Sequence, residues 1–72
     1  MTDRIETFVE KAIRYTQEIL VTHTASWRVA RVGLLKMATN IEDISPTHPA
    51  LVTLHRFIVE LDAAHDRNAL PN

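Results

Sequence analysis

The sequence predicts a small all-α fold: an up-down bundle of three helices over residues 3–22, 25–39 and 49–66. Apolar residues recur at three- and four-residue spacing through each segment. The 72 residues hold one glycine and three prolines, too few turn residues for an all-β chain. The prolines sit at positions 46, 49 and 71, where they punctuate the helices and do not interrupt them. A chain of this length makes one domain, placed at 1–67, with a frayed tail over 68–72.

In the first helix Ile5, Phe8, Val9, Ala12, Ile13, Ile19 and Leu20 occupy one half of the helical wheel. Arg4, Glu6, Glu10, Lys11, Arg14 and Glu18 occupy the other. Asp3 is the expected cap, with Glu6 three residues later as its capping-box partner. Glu10 and Arg14 have the spacing of an i,i+4 ion pair.

The second helix carries a seam of Trp27, Ala30, Leu34, Met37 and Ile41, while Val29, Val32 and Leu35 cover much of the remainder. A helix apolar on most sides belongs in the middle of an assembly. Gly33 costs about 1 kcal/mol against alanine, so its expected use is close approach of a neighbouring backbone or ring. Thr24 or Ser26 can cap this helix. The seam keeps its phase from Ile5 to Ile41, so one continuous helix is the alternative. Average helix length favours a break over residues 21–26.

Residues 40–49 read as a loop, because Ser45-Pro46 and His48-Pro49 both turn the chain away from helix. Ile41 and Ile44 are expected to pin that loop to the core. Pro49 suits the first turn of the third helix, with Thr47 or His48 as cap. Ala50, Leu51, Leu54, Phe57, Ile58, Leu61 and Ala64 share its core face. Val52, Val59 and Ala63 form a second apolar line. With the surplus apolar surface of the second helix, that line predicts a secondary interface and a homodimer.

Composition removes several function classes. The absence of cysteine removes disulfides, zinc knuckles, iron–sulfur clusters and thiol catalysis. A net charge of −1 is not that of a polycation for nucleic acid. No signal peptide or membrane span is legible, and the expected compartment is cytoplasmic. No G-x-S-x-G elbow, glycine-rich phosphate loop or H-E-x-x-H helix is present, so neither an enzyme nor a cofactor is expected.

Four histidines remain to be placed. Asp62 and His65 have the i,i+3 spacing of a shared metal site, with His55 and Asp66 as weak additional candidates. Helix-bundle metal centres need a second such motif, so no metal is expected. His23 reads as a helix-end residue facing the negative end of the dipole, with pH sensing as the alternative. His48 reads as a loop or capping residue.

The net charge hides an asymmetry: residues 1–18 carry −1, residues 19–41 carry +3 and residues 42–72 carry −3. The pattern has two readings: a basic helix packs beside an acidic one and their charges satisfy each other in weak pairs at the seam's edges, or one charged face meets an outside partner of opposite sign. The expected function is that of a small non-enzymatic regulatory protein acting by protein–protein interaction: an adaptor, an anti-activator or an inhibitor of a larger enzyme or complex. The expected contact surface is Trp27, Arg28, Arg31 and Lys36, joined by Lys11 and Arg14, against a partner carrying an acidic surface. Tryptophan and arginine dominate binding energy at interfaces, although Trp27 equally suits a core anchor.

A small dimeric DNA-binding transcription regulator ranks second. Arg28, Arg31 and Lys36 lie on the second helix, the third helix is acidic in its later part, and the connection between them reads as too long for a helix-turn-helix. A metal- or proton-linked histidine module ranks third.

Overall fold

In the computed structural model, which describes residues 3–67, the chain forms α1 (Arg4–Val21), α2 (Trp27–Ile44) and α3 (Ala50–Asp66). Short links make α1 and α3 run one way and α2 the other. The tail expected to fray, 68–72, lies outside the described residues.

Asp3 caps α1, its Oδ1 accepting the Ile5 N–H at 2.8 Å. Among the described residues the expected capping box with Glu6 does not form: the N–H that Asp3 accepts is that of Ile5, and its other oxygen is taken by His48. Among the described residues Glu10 and Arg14 form no ion pair, in keeping with the small energy of exposed i,i+4 pairs.

The continuous-helix alternative is overturned at His23, whose φ of 59° is left-handed. Its N–H bonds the Leu20 carbonyl at 3.3 Å, and the Thr24 N–H bonds the Ile19 carbonyl at 2.9 Å. This is a Schellman closure with histidine in the position usually given to glycine. Ser26 then caps α2, accepting the Val29 N–H at 3.3 Å.

Helix α2 continues to Ile44, five residues beyond the expected end at Thr39. Proline lacks an N–H and turns the residue before it away from helix, so Pro46 stops the helix at Ser45 while residues 40–44 stay helical. Ile41 is buried as expected, but Ile44 is 76% exposed and does not pin the loop. The link to α3 shrinks to Ser45–Pro49.

His48 joins two helix starts. Its Nδ1 accepts the Ala50 N–H at 3.0 Å, which places the ring proton on Nε2. Nε2 then donates to Asp3 Oδ2 at 2.8 Å. This bond, followed by the Ile5 N–H, holds the Asp3 carboxyl below its usual 3.8. A depressed carboxyl adds stability above its unfolded pKa, and that stability is lost as pH falls through the folded value. Asp3→Asn keeps a capping oxygen but removes the titration. Its thermal midpoint is therefore expected to fall less than that of the wild type on acidification below about pH 4.

The core is one cluster that draws Val9 and Leu20 from α1, Leu34 and Ile41 from α2, and Leu51, Leu54, Phe57, Ile58 and Leu61 from α3. Each such side chain contributes about 1.5–3 kcal/mol when fully buried. Thr16 is the buried polar residue of this core, its hydroxyl donating to the Ala12 carbonyl at 2.7 Å. No helix among the described residues is long and apolar enough to cross a membrane.

Candidate functional site: the open groove between the first two helices

Helix α3 covers one side of the α1–α2 pair. The opposite side is an apolar groove. One hollow of about 400 Å³ lies between Ile5 and Phe8 of α1 and Met37, Ile41 and Ile44 of α2. A second, of about 380 Å³, lies between Ala12, Tyr15 and Ile19 of α1 and Val29, Gly33 and Met37 of α2. Met37 borders both, so the two hollows adjoin end to end along the α1–α2 trough.

The rims are unusually apolar for surface. Phe8 is 59% exposed, Tyr15 63% and Val29 63%. These belong to the residue types that carry energy at interfaces when desolvated, above all the aromatics. Antiparallel packing sets Phe8 beside Met37 and Asn40, and Tyr15 beside Val29 and Gly33.

Gly33 lies in the wall of the second hollow, and a Cβ placed on it meets nothing within 4 Å. The close approach expected at this glycine is therefore not made by any described part of the chain. Because the site is open and helical, Gly33→Ala is expected to stabilise the fold by about 0.5–1 kcal/mol. A thermal midpoint raised by about 2–8 °C is the corresponding readout.

The residues singled out in the sequence are dispersed. Trp27 faces α3 and stacks on His65, with ring centroids 3.8 Å apart and planes within 2°. Trp27 Nε1 and His65 Nδ1 are both buried there, and neither has a hydrogen-bond partner among the described residues. Arg31 also turns to α3, its Nε donating to Asp62 Oδ1 at 2.9 Å and Oδ2 at 3.2 Å. Arg28, Lys36, Lys11 and Arg14 are exposed. Lys36 borders a shallow hollow with Val32 and Asn40 on the outer side of α2. Lys11 and Arg14 lie on α1, away from Trp27.

The Arg31–Asp62 pair realises the internal balance between the basic and acidic helices. Its side chains are 38% and 35% exposed, so solvent limits its worth to about 1 kcal/mol or less. Arg31→Glu brings two carboxylates together and is expected to cost about 1 kcal/mol, whereas Arg28→Glu is expected to cost nothing measurable. Parallel thermal melts of the two variants check this.

The histidine–carboxylate candidates for a metal are engaged separately. His55 Nε2 lies 3.3 Å from Glu42 Oε1, Asp62 holds Arg31, and His65 holds Trp27. Asp66 is exposed. Among the described residues no three His, Asp or Glu side chains are grouped to hold a metal ion. Val52 and Val59 of the expected secondary interface are exposed, and Ala63 is half-buried.

Phe8, on the apolar half of the α1 wheel, and Val29, part of the apolar cover of α2, are both exposed at the groove. The available signal was positional: Phe8 and Tyr15 sit at the edge of the apolar half of α1, and Val29 and Gly33 on the matching edge of α2. No family model, curated protein or solved structure matches the chain.

Proposed function

We propose that the chain is a small non-enzymatic regulatory protein that binds another protein through the α1–α2 groove. The observation that carries this reading is the pair of adjoining apolar hollows whose rims expose Phe8, Tyr15 and Val29 and whose wall includes the unoccupied space over Gly33. A three-helix bundle has no internal use for that space. A side chain from a partner does, because interface energy comes from anchors entering desolvated pockets.

This reading shifts the weight from the Trp27-centred surface. Trp27 and Arg31 make intramolecular contacts with α3, which supports a structural role for both. Arg28 and Lys36 remain available to steer a partner.

The test is affinity capture from the native host with three forms of the protein. The wild type and Val52→Ser/Val59→Ser are expected to retain the same partner. Phe8→Ser/Val29→Ser is expected to lose it while remaining folded. Retention of that partner by the Phe8→Ser/Val29→Ser form contradicts the groove reading.

A further inference from the structure

We infer that the groove takes an amphipathic helix from another protein, one whose apolar stripe is flanked by carboxylates. This rests on the groove reading above and adds the chemical class of the partner. The placement of charge on the rims selects that partner.

Lys11 lies three residues after Phe8 and four before Tyr15, so it stands on the outer rim of α1 between two groove side chains. Lys36 lies three residues after Gly33 and four before Asn40, which places it on the outer rim of α2. The pairing of Phe8 with Met37 and Asn40, and of Tyr15 with Val29 and Gly33, sets the two lysines at the same level. Both are exposed. They straddle the middle of the trough, where neither rim carries an acid. The acids lie towards the ends: Asp43 at the level of Arg4 at one end, and Glu18 at the other. The centre of the groove is therefore apolar with a positive margin on each side.

A helix has the shape to fill such a trough. Its side chains at i, i+3, i+4 and i+7 enter the groove, while the positions beside that stripe meet the two margins. Glutamate or aspartate at those positions reaches Lys11 on one side and Lys36 on the other.

A second copy of this chain fits less well. Stacking the groove on itself about a two-fold axis parallel to the helices sets Lys11 over Lys36. An axis across the middle of the groove sets Lys11 over Lys11 and Lys36 over Lys36. Both arrangements put like charges over the apolar centre, which works against docking.

The experiment uses two fluorescently labelled synthetic helices of the length of α2, identical in their leucine stripe. One carries glutamates beside the stripe and its twin carries lysines. Anisotropy titrations use the full chain, the Lys11→Glu/Lys36→Glu form, and the Phe8→Ser/Val29→Ser form. Thermal melts establish that each is folded. The wild type is expected to bind the glutamate helix about tenfold tighter than its twin. The Lys11→Glu/Lys36→Glu form is expected to reverse that order, and Phe8→Ser/Val29→Ser to weaken both peptides.

Equal binding of the two peptides, lost in the Phe8→Ser/Val29→Ser form, overturns the acidic partner and keeps the groove. Binding of neither peptide, while the captured host protein still requires Phe8 and Val29, does the same. Sedimentation of the wild type as a dimer that Phe8→Ser/Val29→Ser dissolves overturns the inference in favour of a second copy.

Discussion

Truncating Leu54 to alanine is expected to leave the protein unfolded or nearly so at room temperature. Leu54 is fully buried, at 0% exposure, in the one core that all three helices share. Removing a buried leucine to alanine costs about 2–5 kcal/mol through lost transfer energy and the cavity left behind. A single core in a chain below about 70–80 residues rarely supplies more than about 3–5 kcal/mol in all. The substitution therefore consumes most of the stability. Far-ultraviolet circular dichroism is expected to show loss of the cooperative thermal transition or a midpoint lowered by well over about 10 °C. Val59→Ala is the control. Val59 lies on the same helix but is largely exposed, so its change is expected to stay within about 0.5 kcal/mol. Equal losses from the two variants are incompatible with the packing described.

The second large effect is on binding. Phe8→Ser/Val29→Ser removes one rim side chain from each helix of the groove. Truncating an interface anchor costs about 2–4 kcal/mol, and two anchors on opposite walls are expected to lower affinity by at least about 100-fold. Both residues are more exposed than buried in the free chain, so folding changes little. Isothermal titration with the captured partner and a thermal melt of the same sample separate the two quantities. Large loss of stability with unchanged affinity assigns Phe8 and Val29 to the fold.

The helices were legible because each carries an apolar period and the first two open on recognisable N-caps, Asp3 for α1 and Ser26 for α2. The end of α2 was misplaced because the reach of Ser45-Pro46 and His48-Pro49 was extended back to Asn40. Pro46 turns Ser45 out of the helix, and the turn before it stays helical with Ile41 on its inner face. The turn at His23 had no glycine to announce it, so a left-handed residue there could only be seen in three dimensions.

The charge asymmetry was readable as sums over segments, and Arg31–Asp62 is its internal resolution. The site was less legible. A lone tryptophan flanked by arginines drew attention in the sequence, yet a helical wheel gives no neighbour for it, and the fold turns it onto His65. The groove needs two helix edges to meet in antiparallel register. Phe8, Tyr15, Val29 and Gly33 are far apart in sequence, and nothing in either helix alone indicates that α3 leaves their common side uncovered.

The central claim is that a partner enters the groove at Gly33, and the chain provides a single reporter there. Gly33 is the only glycine in the sequence, so its amide is identifiable by residue type in a ¹⁵N-correlated spectrum. Titration of the labelled full chain with the captured partner is the direct measurement. The account predicts that the Gly33 amide shifts or broadens first, together with those of Phe8, Tyr15 and Val29, while Val52 and Val59 stay in place. An unmoved Gly33 amide, with the change confined to the Val52–Val59 side of α3 or to the Trp27 end of α2, contradicts it.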